Sequence, residues 1–319
     1  MPPRRLIIGS RRAGHARCLV LFLALGGPVA WADSPLKGSL EIAAGHEELT
    51  SPLVRVAPSG PLLRVEGLNR LAGSSLRING SVLRDWTLDG GTGISASARG
   101  DVLRAPAAPD LDWGIAAADV MLRHPWAGAT WGIGPSVQRL WVARRRFRDT
   151  VGVQADALRV DGSGHWSLAG DWAQTQHSGE NSDFNSAIAL VSLQRRISDP
   201  LPGLESMDLE GGLLRERNRA GLPELGSRSA YLRVTLAGKR WGYDWSLGGM
   251  TQRSRFDATV LDPLPARRDR YRSLDLSVSR DIGDGAFVKA EANFARNEAN
   301  SPLFESRYRQ VALTLGFAW

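Results

Sequence analysis

The chain has 319 residues, 23% of them charged, with a single cysteine and a formal charge of +7. Arg4, Arg5, Arg11, Arg12 and Arg17 all lie in an N-terminal leader, so the rest is nearly neutral with charges of both signs, and no nucleic-acid partner is expected. Cys18 lies in that leader too, which excludes disulfides and cysteine metal sites from the mature chain.

Residues 1–32 read as a cleaved secretory signal peptide. The five arginines form a basic n-region and Cys18 to Leu25 an apolar h-region. Ala30-Trp31-Ala32 fits the small-x-small cleavage rule, which starts the mature chain at Asp33. The apolar run is well short of the ~20 residues a spanning helix needs. Residues 33–319 are read as one domain.

From Asp33 onward, segments of alternating polarity recur roughly every twenty residues, as antiparallel strands with connections would. Leu76, Ile78, Gly80 and Val82 oppose Arg77, Asn79 and Ser81. Ile94, Ala96, Ala98 and Val102 oppose Ser95, Ser97, Arg99 and Asp101. Further along, Trp166, Leu168, Gly170 and Trp172 share a phase, as do Leu232, Val234 and Leu236, then Trp241, Tyr243, Trp245 and Leu247. Leu274, Leu276 and Val278 oppose Asp275, Ser277 and Ser279; Ala286 to Phe294 opposes Lys289, Glu291 and Asn293. A strand turns successive side chains to opposite faces. One apolar and one charged face, repeated along the whole chain, point to an all-β, transmembrane antiparallel up-and-down barrel rather than a soluble sandwich.

The connections fall into two kinds. Leu71-Ala72-Gly73-Ser74, Asp161-Gly162-Ser163-Gly164 and Gly283-Asp284-Gly285 read as tight turns. Residues 48–60, 175–183, 217–227, 256–269 and 297–307 read as longer loops. Short periplasmic turns and long outer loops are the barrel rule. The raw tally is about fifteen strands, and single-chain bacterial barrels use even numbers, so about fourteen are expected, with twelve or sixteen as alternatives. Tryptophans outnumber tyrosines eleven to four. Trp166, Trp172, Trp241, Trp245 and Trp319 fall on the apolar phase, as an interfacial girdle requires.

The closing segment is the clearest. Val311, Leu313, Leu315, Phe317 and Trp319 share one face; Ala312, Thr314, Gly316 and Ala318 share the other. An exposed edge of this kind invites aggregation in a soluble sheet. In a barrel it is a lipid-facing strand with an aromatic end, and these five residues are read as the C-terminal barrel-assembly signal. The strand must pair with the first one, near Leu40 and Ile42, and it places the C-terminus at the periplasmic side.

Charges on the inner phase are the candidate functional surface: Arg77, Asp208, Glu210, Arg233, Lys289 and Glu291. They serve either as structural networks or as tuners of what passes, since lumen substitutions set selectivity. The run Arg144-Arg145-Arg146 with Arg148 and Asp149 reads as a solvated rim, or as a basic lining for anionic cargo. His46, His124, His165 and His177 lack metal-ligand spacing. His177-Ser178 is half of an imaginable hydrolase site, but catalysis needs base, nucleophile and orienting group to converge. No enzymatic activity, cofactor or metal is expected.

The C-terminal quarter carries more than alternation. Arg267-Arg268-Asp269 precedes a strand, then Gly283-Asp284-Gly285, then a strand ending at Asn300-Ser301, then Arg307-Tyr308-Arg309 and the closing strand. Trp131-Gly132-Ile133-Gly134-Pro135 lies further back. In this order the motifs resemble the barrel domain of the surface lipoprotein assembly modifiers, with Asn300-Ser301 reversing the usual Ser-Asn. The matching positions are Arg267, Asp269, Asn300, Ser301 and Tyr308. The resemblance implies a fourteen-stranded bacterial outer-membrane pore that assists translocation of lipoproteins or secreted proteins to the cell surface. Such barrels usually follow a periplasmic helical-repeat domain, and here only a few residues separate Asp33 from the first strand. The expected partners are outer-membrane lipid, the barrel assembly machinery and periplasmic chaperones, a lipoprotein or secreted cargo, and a separate helical-repeat protein. The alternative from the residues alone is a passive porin or solute channel.

Overall fold

The computed structural model describes residues 32–33, 35–56, 63–178, 184–259 and 265–319. The leader lies outside these residues apart from Ala32. Fourteen long strands follow: β1 (Lys37–Val56), β2 (Leu63–Thr87), β3 (Gly93–Arg104), β4 (Trp113–Trp126), β5 (Ala129–Val142), β6 (Arg145–Asp161), β7 (Gly164–His177), β8 (Ser186–Leu201), β9 (Leu204–Asn218), β10 (Ser227–Arg240), β11 (Tyr243–Phe256), β12 (Arg268–Gly283), β13 (Ala286–Ala299) and β14 (Ser306–Ala318). Each pairs antiparallel with its sequence neighbours, and a two-residue bridge, Ala32–Asp33, adds to the end of β2.

The sheet closes on itself. β14 pairs with β1 so that Leu315 faces Ile42 and Phe317 faces Leu40. Backbone hydrogen bonds of 2.9 and 3.0 Å join Gly38 and Trp319 in both directions. Closure matters because lipid offers the backbone no partners, and only a barrel without edges leaves every strand satisfied. The result is a closed fourteen-stranded up-and-down β-barrel of the outer-membrane kind.

Alternation sorts the side chains as the period-two pattern demands. Val311, Leu313, Leu315 and Phe317 are 45–60% exposed on the outer surface, and Leu274, Leu276 and Val278 are 40–47% exposed. Between them on the inner phase lie Gln310, Thr314, Ser277 and Asp275. Phe317 and Trp319 stack with ring centroids 6.0 Å apart.

The two ends of the barrel differ. At one end β4–β5, β8–β9, β10–β11 and β12–β13 are joined by two residues each. We call it the turn end; both ends of the barrel chain lie there. Ala127-Gly128, Trp241-Gly242 and Asp284-Gly285 each place two successive residues at positive φ. That is the mirror-image hairpin turn whose twist suits the strands it joins. Gly285 is required twice over, since its φ is +79° and an added Cβ would sit 2.2 Å from the Ala318 carbonyl oxygen. At the turn end arginines lie over aromatic rings on the outer face: Arg84 over Trp86 at 5.4 Å, Arg195 over Trp166 at 4.9 Å, Arg240 over Trp241 at 4.4 Å and Arg280 over Tyr243 at 5.3 Å. The other end, the loop end, carries the longer connections: 105–112, 178–185, 219–226, 257–267 and 300–305.

Three sequence expectations change. Leu71 to Ser74 is no turn: it runs through the middle of β2, paired with β1. Splitting β2 there inflates the tally to fifteen. Gly73 is a buried mid-strand residue, and an added Cβ would make only ordinary contact with Ala107 and Ala108 at 3.6–3.7 Å. The loop expected over 48–60 is largely strand, with β1 reaching Val56 and β2 beginning at Leu63. Trp241 is not on a strand face; it sits in the turn at φ +53° and is 83% exposed.

Candidate functional site

The lumen is built by the inner phase of all fourteen strands. Its densest polar cluster straddles the closing seam, on β13, β14, β1, β2 and β3. Arg77 on β2 donates to Asp101 on β3 through Nε (2.8 Å) and Nη2 (2.5 Å). Its Nη1 is 3.5 Å from Glu291 Oε1 on β13. Lys289 Nζ lies 3.1 Å from Glu291 and 2.9 Å from Glu41 on β1. Above this, Gln310 donates to buried Glu47 at 3.1 Å and accepts from Asn293 at 2.7 Å. The Tyr308 and Ser75 hydroxyls lie beside Glu47. Arg–carboxylate pairs that are bidentate and partly desolvated are the strong ones. The network therefore ties the first three strands to the last two.

Of the six inner-phase charges singled out from the sequence, Arg77, Lys289 and Glu291 are brought together in this seam network. Asp208, Glu210 and Arg233 lie across the barrel on β9 and β10. Asp208 accepts from Gln194 at 3.2 Å, and Glu210 accepts from the Tyr231 hydroxyl at 2.6 Å. Arg233 stands opposite Glu210 in the register and is exposed. Glu41, Glu47, Asp119 and Asp171 belong to the same surface and are not among those six, nor is Asp101, which the alternation already places on the polar phase. Their phase against Ile42, Val102, Val120 and Trp172 was the available signal.

The loop end narrows the mouth. Connection 105–112 folds inward, so that Leu103, Ala105, Ala108 and Leu111 form a buried cluster against the inward-facing Leu49, Leu71 and Trp113. Asp112, fully buried, holds the fold: its carboxylate accepts from the Ala105 amide (2.7 Å) and from Arg144 Nε (2.7 Å), with Arg104 at 3.5 Å. Burial pushes this carboxyl up, but the amide and guanidinium donors outweigh it and hold it below the ordinary carboxylate range. A depressed folded-state pKa stabilises above the unfolded value and is lost as pH falls through the folded one. The lock is thus intact at neutral pH and opens only in strong acid. Asp112→Ala is expected to cost about 1–3 kcal/mol and to make 105–112 a protease-cleavage site at pH 7. An unchanged cleavage pattern would show that the apolar cluster alone holds the connection.

The residues of the family resemblance lie mostly at this mouth. Arg267 donates to both Asp269 oxygens and stacks over Phe256 (4.4 Å) and Phe304 (3.8 Å). Asn300 accepts from the Arg268 amide (2.8 Å) and donates to the Ala266 carbonyl (3.0 Å). Ser301 precedes the short helix 302–304 and makes no side-chain cap. Tyr308 is apart from them, at the seam network. These contacts join residues 266–268 to the connection 300–305 and to Phe256.

The Arg144–Arg146 run sits at the rim, and two of its arginines are taken up by carboxylates. Arg144 holds Asp112, while Arg146 and Arg139 share Asp149. Arg145, at the rim, and Arg148 are the members on the inner phase. His177 packs edge-on against Phe147 at 5.2 Å and beside Phe184, and the Ser178 hydroxyl donates to the Arg146 carbonyl. The two groups face different partners and do not converge.

No family model and no curated protein matches the chain. Solved structures that it resembles include Acinetobacter baumannii OccAB2 (9% identity, 89% of this chain and 98% of that one, TM-score 0.44). Pseudomonas aeruginosa OccK10 (OpdN) is 10% identical over 88% of this chain and 99% of that one, with a TM-score of 0.43. A bacterial polysaccharide outer membrane secretin is 13% identical over 88% and 98%, with a TM-score of 0.42. Likenesses of this size carry no argument for function, and the fold assignment stands on the strand pairing and on the sorting of side chains between the two faces.

Proposed function

We propose that the protein is a passive outer-membrane channel for small hydrophilic solutes, with a preference for cations. One observation carries the reading: Arg99, Arg196 and Arg233 point inward yet remain exposed. Side chains fill an eight-stranded barrel, whereas sixteen or more strands leave an aqueous channel. Fourteen strands with exposed inward arginines fall on the open side. The preference follows from composition, because Asp and Glu outnumber Lys and Arg on the inward phase of the strands. Like-signed linings concentrate the opposite ion. The turn end then faces the periplasm and the loop end the medium.

The refolded protein should conduct in planar bilayers. Under a potassium chloride gradient its reversal potential should take the sign for potassium over chloride. A folded, inserted barrel with no conductance would overturn the channel reading; a chloride preference would overturn the selectivity alone. Transport of lipoproteins or secreted proteins, the expectation attached to the assembly modifiers, has no observation of its own. Of the residues carrying that resemblance, Arg267, Asp269 and Asn300 hold connections together at the mouth, and Tyr308 belongs to the seam network.

A further inference from the structure

The outer surface at the loop end carries a feature that neither closure nor a channel requires. On β11 and β12, Arg253 stands directly opposite Arg270, and Arg255 directly opposite Arg268. Arg228 on β10 stands opposite Arg255 in turn. Like charges directly opposed across a strand pair destabilise it. All five are exposed, and they share the outward phase with Leu247, Leu274 and Leu276. The patch therefore lies just beyond the lipid-facing band.

Nearby carboxylates do not neutralise it. Asp257 is held by Arg215 at 2.7 and 2.6 Å. Glu298 faces Arg270 in the register but pairs with Arg296 at 3.3 Å. Asp269 is taken by Arg267. Among the described residues, Arg253, Arg255, Arg268 and Arg270 form no ion pair. They line a concavity of about 320 Å³ that Glu298, Asp269 and Asn300 also border, and the two carboxylates there are those already paired with Arg296 and Arg267. The contrast with the turn end is direct, because there outward arginines such as Arg240 and Arg280 rest on aromatic rings.

We propose that Arg253, Arg255, Arg268 and Arg270 form a binding site for a phosphorylated lipid headgroup of the outer leaflet. The chemistry fits. A guanidinium offers a planar fork that matches phosphate oxygens in pairs, and four forks in one concavity suit an anion with more than one phosphoryl group. A position at the edge of the apolar band leaves the acyl chains of that lipid against Leu247, Leu274 and Leu276. Bound phosphate also removes the repulsion between the opposed arginines.

The test uses the full-length mature barrel folded in neutral detergent. Binding of bisphosphorylated lipid A and of the same lipid stripped of both phosphates is measured by native mass spectrometry. The bisphosphorylated form should bind at least about tenfold more tightly, since each charge-assisted pair lost is worth about that much. Arg253→Gln/Arg255→Gln/Arg268→Gln/Arg270→Gln should abolish the difference. If it fails to fold, Arg253→Gln/Arg268→Gln should reduce it severalfold. Arg240→Gln/Arg280→Gln, which removes as many cations from the turn end as that double variant removes from the patch, should leave it unchanged. Equal binding of the two lipids by the native protein would overturn the proposal. So would undiminished discrimination in the patch variants, or displacement of the lipid by millimolar inorganic phosphate or by an acidic peptide.

Discussion

Replacing Arg77 with methionine is expected to destabilise the folded barrel by about 3 kcal/mol, the lower end of the cost of breaking a desolvated ion pair. The methionine keeps most of the aliphatic stem, so lost packing is small. What remains is two carboxylates, Asp101 and Glu291, whose side chains are only 11% and 12% exposed. Lys289 stays with Glu291, but Asp101 loses both of its close donors. Urea-driven unfolding from lipid vesicles reads the change as a lowered midpoint at constant slope. Arg77→Met/Asp101→Asn should recover much of the loss, because the stranded charge is then removed as well. Arg77→Met alone also removes one positive charge from the lumen, so potassium selectivity should rise in that single variant and not in the double one. A midpoint shift worth less than about 0.5 kcal/mol, the range of an ordinary surface change, would mean that lumen water already solvates both carboxylates.

Gly45→Val is expected to prevent the barrel from closing. Gly45 on β1 pairs with Ala312 on β14, at the junction of first and last strands. An added Cβ there would meet the Val311 carbonyl oxygen at 2.4 Å and the Ala312 Cβ at 2.9 Å. The first of these is backbone and belongs to the pairing itself, so relief must come from separating the strands. Gly80→Val on β2 is the control. Its added Cβ would meet nothing nearer than 3.5 Å and would point to lipid, where valine is welcome. Heat-modifiable migration on cold gels distinguishes closed from open barrels. The Gly45 variant should run as unfolded protein under conditions where the Gly80 variant folds. Normal migration of both would show that the seam tolerates a shift of several tenths of an ångström.

Much of the fold is written locally. The phase of Leu274, Leu276 and Val278 against Asp275, Ser277 and Ser279 needs no knowledge of the partner strand. The bilayer supplies one uniform solvent outside and water supplies the other inside. The turn Gly283-Asp284-Gly285 is equally local, since positive φ selects its residues. Errors arise where a local signal has a distant cause. Gly73 looks like a turn glycine, yet it lies mid-strand, paired with Glu47 and covered by the connection 105–112. Trp241 continues an alternation into a turn, because its neighbour Gly242 supplies the second positive φ. The outward arginines of β11 and β12 are legible by the same phase as their leucines, but only the register sets them directly opposite one another.

By itself, the sequence determined that this protein crosses a membrane with strands, which strand phase meets lipid, and where some of the hairpins turn. Those properties follow from a period of two and from the chemistry of each face. Only the tertiary structure decided the count of fourteen, the inward fold of 105–112 held by Asp112, and the meeting of Arg77 with Glu291 across the seam. It also set Arg253 against Arg270. The physical reason is register: pairing one strand against another fixes which inner or outer residues become neighbours, and closure carries that choice around the barrel until the last strand meets the first.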